Sequence, residues 1–506
     1  MRVLLPLPVV LPLVGAGLSM ALGRFPWAQR LLGLAVATAV LGVSVWLLVL
    51  VDRQGPVATQ LGGWPAPVGI TFAADRLSAV LVVVAAAMSL AVLVFAIGQG
   101  AAVGAAIVFN PVYLILAAGV SAAFLTGDLF TLFVSFEVML TASYVLISLG
   151  ARPEQLRATM TYVVVSLTAS MLFLTALGLV YAATGTVNMA DLAGRLGVLP
   201  GGLRLAIGLL LLVVFGVKAA IFPLFSWLPD AYPTAASPVT AIFAGLLTKV
   251  GVYAIIRTET LLLGGDGTPV VVLLGLAAAT MLVGILGAVV QDDMKRILSF
   301  NIVSHVGFML FGLGLFSLAG LAGAIFYIVH HVVVQTSLFL VEGLVEQDEG
   351  TGALHREGGL LARSPLVALL FGLPALSLAG IPPFSGFVAK LALVEAGLSG
   401  GQYLVVAVSL LASLLTLLSM GRIWGSLFWR TPAGHAVAAV HGGGEEPEVA
   451  GLREPRSLPA MRAATAALVV LGLAVALFAR PLYGLSERAA ADLLAPAAYR
   501  TAVLGR

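Results

Sequence analysis

Stretches of roughly 18 to 25 mostly apolar residues, each long enough to cross a bilayer as a helix, follow one another along this 506-residue chain. They fall near 4–22, 31–51, 76–97, 109–126, 129–149, 158–183, 204–229, 237–263, 270–290, 298–316, 319–345, 363–394, 402–427 and 460–480. Lipid offers backbone N–H and C=O groups no partners, so a chain that crosses it repeatedly must satisfy them inside helices. The pattern predicts an all-α polytopic membrane protein of about fourteen transmembrane helices.

Composition excludes the main alternatives. With 60% hydrophobic and 10% charged residues, a water-soluble globule would expose large apolar patches. The net charge of +3 is dispersed, with no basic stripe interleaved with aromatics, so nucleic-acid binding has no footing. Cysteine is absent, which removes disulfides, thiolate metal sites and iron–sulfur ligation by this chain and leaves the redox compartment open. The first stretch, with Arg2 and Ser19-Met20-Ala21, shares traits with a cleaved signal peptide, but its apolar run is long enough to span and is read as the first helix.

Two spans are interrupted. Pro223 and Pro229, with Pro233 and Pro238 close behind, break the seventh, and Pro374, Pro382 and Pro383 break the twelfth. Proline removes a backbone donor, and broken helices at membrane depth survive where they line a cavity or are buried in protein. Arginine and lysine crowd the loops on one side, among them Arg24, Arg30, Arg152, Arg157, Lys295, Arg296, Arg356 and Arg363, and the positive-inside rule then places both termini outside. Arg480, Arg488, Arg500 and Arg506 in the tail argue against that placement. The one long polar connection, Thr431 to Leu458, is read as an inner-face loop.

Lysine is scarce, and its placement points to chemistry. Of four lysines, Lys218, Lys249 and Lys390 lie inside apolar spans, while 22 arginines mostly serve the loops. Arginine keeps its proton in any protein environment, whereas a desolvated lysine can release one near neutral pH. Glu137 sits alone among apolar residues in TLFVSFEVMLTASYVLISLG, the one clearly buried acid set against three buried amines. A charge in the hydrocarbon core is costly enough to require a role. A structural Glu137–Lys218 pair would account for two of the four groups and leave the other amines unexplained.

His330 and His331 fall in the eleventh span and His305 in the tenth. Neighbouring helical residues point about 100° apart, so one of the pair is expected to face a polar axis. No pair of histidines has a spacing that supports haem ligation, and no metal or cofactor site is expected. Asp292-Asp293-Met294-Lys295-Arg296 reads as a topological anchor, and Asp230 as a cap at the broken seventh helix.

The segments GDLFTLFVSFEVMLTASYVLI (127–147), VKAAIFPLFSWLPDAYPTAASPVTAIFAGLLTKVGVYAIIR (217–257), QDDMKRILSFNIVSHVGFML (291–310) and GIPPFSGFVAK (380–390) resemble the proton-translocating antiporter-like subunits of respiratory complex I and its relatives. Within that superfamily the resemblance is to the D-type component of the Mrp-type multisubunit sodium/proton antiporters, and it covers about 70 to 430. It implies fourteen helices with two inverted five-helix repeats, helices 4–8 and 9–13, whose broken members are helices 7 and 12. The corresponding division is 1–108 for the first three helices, 109–263 and 264–430 for the repeats, and 431–506 for the inner loop and last helix. Carried over by position, the resemblance implies that Glu137, Lys218, Lys249 and Lys390 are the translocating residues and that His331 matches a family histidine, and the central relay is expected to lean on His330 or His331 and water. It also exposes a departure, since Gln335 stands where many relatives have a lysine.

The function implied is proton translocation in a cation/proton antiporter of a bacterial cell inner (plasma) membrane. Expected partners are the other subunits of the antiporter complex, namely a larger A-type chain and small hydrophobic subunits. Protons, sodium ion and the lipid bilayer are the other participants, with no nucleic acid. Sodium prefers several oxygen ligands, so its path is expected wholly or partly in other subunits. The alternatives are a proton-pumping component of a complex I-like quinone oxidoreductase or membrane-bound hydrogenase, and a passive channel or scaffold.

Overall fold

The computed structural model describes residues 4–100, 106–149, 153–265, 268–349, 352–354, 358–429 and 457–505; nearly all of the expected Thr431 to Leu458 loop lies outside them. Among the described residues, 12 helices are long and apolar enough to cross a membrane. The shorter Leu7–Ala21 and the two-part helix Pro365–Ala379 plus Ser385–Ser399 complete the expected series of spans. In order these are Leu7–Ala21, Pro26–Gln54, Arg76–Gln99, Ala106–Leu125, Leu129–Ser148, Pro153–Thr184, Gly201–Ala219, Ser237–Leu262, Val270–Val290, Met294–Gly314, Leu318–Glu349, the two-part twelfth, Tyr403–Trp429 and Leu458–Leu477.

The most enclosed spans are not the most apolar ones. The second span has a mean hydropathy of 2.6 and is only 28% enclosed, whereas the tenth, at 1.6, is 94% enclosed, and the eighth and eleventh are wholly enclosed. In a bilayer the outer spans must be the greasy ones, and polar side chains are tolerated where neighbouring helices surround them. The polar residues of the eighth, tenth and eleventh spans therefore sit in a column at the centre of the bundle.

Both expected interruptions occur, and they end their first halves alike. The seventh helix stops at Ala219 and the chain turns left-handed at Ala220 (φ 59°), whose N–H donates to the Gly216 and Val217 carbonyls while that of Ile221 reaches Gly216. The twelfth stops at Ala379 and turns at Gly380 (φ 90°), with the N–H groups of Gly380 and Ile381 donating to Leu376. This is the Schellman way of satisfying last-turn carbonyls. The short helix Trp227–Ala231 follows the first break, and Ser385–Ser399 follows the second.

One face carries structure that hydropathy does not announce. Val57–Gln60 pairs antiparallel with Thr71–Ala74, and after the fourteenth span two further helices, Ala479–Leu494 and Ala497–Leu504, fold back over this face. Two of the tail arginines that oppose the topology, Arg488 and Arg500, are engaged here. Arg488 pairs with Asp52 at 2.9 Å, Arg76 binds Asp52 and Asp492, and Arg500 donates to the Ala190 carbonyl. Deeper in, Arg257 grips Asp75 through two hydrogen bonds of 2.6 and 2.9 Å, tying the end of the eighth span to the start of the third. Arg257, within the eighth expected stretch of 237–263, is 3% exposed.

Candidate functional site

The site begins at the end of the seventh helix. Because that helix terminates at Ala220, Lys218 lies in its last turn, where cations complement the unpaired carbonyls. Its ammonium turns sideways to the sixth span and donates to the Ser166 carbonyl at 3.1 Å and to Ser170 Oγ at 3.2 Å. Ser170 in turn donates to Glu137 Oε1. The expected Glu137–Lys218 pair is therefore a hydrogen-bonded string of three groups, not a direct ion pair. The ring of Phe136 lies under the ammonium at 5.8 Å, within an aromatic set with Phe173 and Phe215.

Glu137 itself is only half-buried, and the picture of one buried acid needs correcting. Among the described residues the enclosed acids are Asp75, Asp128, Asp191, Glu259 and Glu342, each at most 8% exposed, and Lys295 is enclosed with them. Asp75, Asp128 and Glu259 lie near span ends, where the apolar windows taper and hide their burial.

Lys249 follows a helical irregularity. Phe243–Leu247 is a π-turn inside the eighth span, and the Lys249 ammonium donates to the Ala244 carbonyl within it at 2.6 Å. Such bulges shift the helical register and recur at functional sites. The backbone of Lys218 and Ala219 approaches this helix at Gly251, where a Cβ would lie 2.5 Å from the Ala219 nitrogen, so only glycine admits the contact. A cavity of about 10 Å³ lined by Ser166, Lys218, Trp227 and Leu247 opens between the two lysines' helices.

The histidines occupy the next segment. His331 is wholly buried, neither ring nitrogen has a hydrogen-bond partner, and its ring centroid is 4.9 Å from that of His305. His305 Nδ1 meets the Tyr327 hydroxyl at 2.6 Å. His330 points elsewhere: its Nδ1 lies 2.9 Å from Ser385 Oγ, which lies 3.2 Å from Ser377 Oγ across the break of the twelfth helix. The 100° offset thus sends both rings into the polar column, one toward the tenth span and one toward the twelfth.

Lys390, one turn into the second half of the twelfth helix, donates to the Leu378 and Ala379 carbonyls at 3.0 Å each. These are carbonyls that the break leaves without intrahelical partners. Phe308 lies under this ammonium at 5.1 Å and stacks on Tyr327. Gln335 donates to the Leu298 carbonyl at 2.9 Å, a tether between the eleventh and tenth spans.

The structure therefore brings together Glu137 and Lys218 through Ser170, His331 with His305, and His330 and Lys390 around one helix break. It does not join Lys249 to either neighbour by a direct hydrogen bond. Sequence reasoning does not single out Ser170, His305, Tyr327 and Ser385 as site residues. Ser170 carries a signal all the same, since Ser166 and Ser170 form one face of an otherwise apolar segment.

Two other expectations fail. Asp230 caps nothing; it is largely exposed and pairs with Arg296 at 3.2 Å. Lys295 is no surface anchor but is held between Glu342 and Glu346. Asp293 serves as the cap of the tenth helix, accepting from the Arg296 N–H.

These features define a multi-pass membrane protein with a core of buried ionisable side chains, two of whose spans are broken beside a lysine. Residues 126–416 match the model of the family described as NADH:quinone oxidoreductase/Mrp antiporter, TM, and the chain belongs to that family. It is 40% identical to the D component of the Na+/H+ antiporter of Alkalihalophilus pseudofirmus, over all of both chains. Among solved structures it resembles a chain of the Mrp complex from Dietzia sp., with a TM-score of 0.91, 36% identity and full coverage of both chains. A chain of the membrane-bound sulfane sulfur reductase, an archaeal respiratory membrane complex, matches with a TM-score of 0.89 at 26% identity, again over both full lengths.

Proposed function

We propose that this chain is the proton-translocating component of a multisubunit cation/proton antiporter, a transporter component and not itself a catalytic enzyme. It works in a bacterial cell membrane beside partner subunits; its relative is named as one subunit of an antiporter, and the structure it resembles is of a complex. The respiratory alternative has weaker support, because the full-length relative at 40% identity belongs to an antiporter.

One observation carries the reading. Titratable groups lead from the half-buried Glu137 into the bundle: Lys218, Lys249, His331 with His305, His330 and Lys390. Protons would pass along these groups and the hydroxyls of Ser170, Tyr327 and Ser385, with water bridging the steps that lack a protein partner. The two ring nitrogens of His331 suit such a step, since buried polar atoms ordinarily have a partner. Ser170 suits the coupling at the Glu137 end, accepting from Lys218 while donating to the carboxylate. The units 109–263 and 264–430 would each contribute one broken helix and its lysine.

Lys249→Met tests this. Methionine fills a similar volume and has no proton to give, and it strands no counter-charge, since the Lys249 ammonium donates to the Ala244 carbonyl and not to an acid. In vesicles holding the complete antiporter, the variant assembles but loses cation-dependent proton movement. Wild-type rates would leave Lys249 a structural residue and refute the axis.

A further inference from the structure

The eleventh span carries a buried acid that the axis does not use. Glu342 lies about three turns beyond His331, roughly 16 Å along the helix toward the inner face. It is 1% exposed, and neither carboxylate oxygen has a hydrogen-bond partner. His331, Gln335 and Glu342 recur at the spacing that places residues on one stripe of a helix.

Its surroundings connect it to the surface. Lys295 Nζ, from the tenth span, is 3.6 Å from Glu342 Oε1 but binds Glu346 Oε2 more closely, at 2.8 Å. Glu346, on the same helix as Glu342, is 39% exposed and also accepts from Ser237 of the eighth span at 2.8 Å. Asp293 adds a carboxylate on the far side of Gly352, where an added Cβ would lie 3.4 Å from both Asp293 Oδ2 and Glu342 Oε1. Lys295, Glu346 and Asp293 are the charged groups beside Glu342, and the Ser237 hydroxyl nearby is bonded to Glu346.

A structural ion pair would aim the amine at the wholly buried acid, since a carboxylate without a hydrogen bond is the costly partner to leave. The amine instead favours the exposed one. A metal site is also a poor fit, because an ammonium occupies the middle and no three His, Asp or Glu side chains converge among the described residues.

We propose that Glu342 is the proton-loading group of the inner face, an inference that rests on the axis reading above. Glu346 exchanges protons with water, and Lys295 holds the two carboxylates together. A proton from the aqueous side forms an O–H bond on Glu342; that bond later breaks as an N–H bond forms on His331, through water along the Gln335 stripe.

The test uses the complete antiporter in inside-out vesicles, with the inner face toward the medium, and follows cation-dependent proton movement against medium pH. Glu342→Gln is expected to lower the rate roughly 10²-fold, the scale of losing one acid–base group. Glu342→Asp restores transport with a displaced pH profile, which a merely structural carboxylate would not produce. A Glu342→Gln variant with wild-type rate and profile, beside an inactive Lys249→Met, overturns this proposal and spares the axis. An active Lys249→Met overturns the axis itself. Should Glu342→Gln fail to assemble, the Glu342→Asp profile decides, and an unmoved profile refutes the loading role.

Discussion

Glu137 and Lys218 meet through Ser170, which accepts from the ammonium and donates to the carboxylate. The polarity of that string means the hydroxyl registers the state of both ends. When Lys218 gives up its proton, the amine can accept from Ser170, and the hydroxyl is then pulled away from Glu137. A half-buried Glu137 in the fifth span is also the point where charge on a neighbouring protein of the complex would be felt.

Ser170→Ala removes this link while leaving both charges. A hydrogen bond to a charged group is worth about 1.5 to 3 kcal/mol, so transport should slow roughly tenfold or more with the complex intact. Initial rates of antiport in vesicles measure this, and an unchanged rate would mean Glu137 and Lys218 act independently of the hydroxyl.

Gly380→Ala should damage the Lys390 end. Its left-handed backbone costs an alanine about 1 to 2 kcal/mol, and the added Cβ would lie 2.8 Å from Lys390 Cδ. The expected outcome is a displaced ammonium, slower transport and a lower melting temperature. Ala220→Gly at the matching break should raise the melting temperature, and thermal unfolding of the two variants compares them directly.

The two neighbouring histidines should separate in effect. His331→Asn replaces a titratable ring with an amide at a place with no nearby hydroxyl bond, and should reduce transport by about 10²-fold or more. His330→Asn leaves the Ser385–Ser377 hydroxyl pair in place and should cost less. A His331→Asn variant with the wild-type rate would contradict a path running through His331.

Asp75 makes a stability prediction that is independent of transport. Burial alone would push its carboxyl up, but the Arg257 charge and the Ser78 bonds outweigh that and hold it below its ordinary value. A depressed pKa contributes stability above the unfolded carboxylate value of about 3.9 and loses it as pH falls through the folded one. Asp75→Asn should therefore destabilise the protein by about 3 to 5 kcal/mol near neutral pH, because it leaves Arg257 buried and unpaired. The gap from wild type should close only well below pH ~4, which thermal unfolding in detergent at several pH values would reveal.

The spans and both breaks can be read from apolar run length and proline placement, and the buried lysines from their isolation within those runs. The central column is partly written in the sequence, since the three most enclosed spans are among the less apolar ones, but that signal emerges only when spans are ranked against each other. The π-turn before Lys249 leaves no mark in residue type, because it depends on how the eighth helix packs. Glu342 is hidden by lying where the eleventh window fades into the polar QDEG segment. The tail helices resemble loop in sequence because Ala479–Leu494 alternates charge with small residues and is stabilised by packing and by Arg76–Asp492.

The most direct test of a titrating axis is antiport by the Lys218→Arg variant in vesicles holding the complete complex. Arginine preserves the positive charge near Ser170 and Glu137 but does not release its proton. The account predicts a variant that assembles and carries no cation-coupled proton movement; transport near the wild-type rate would contradict it.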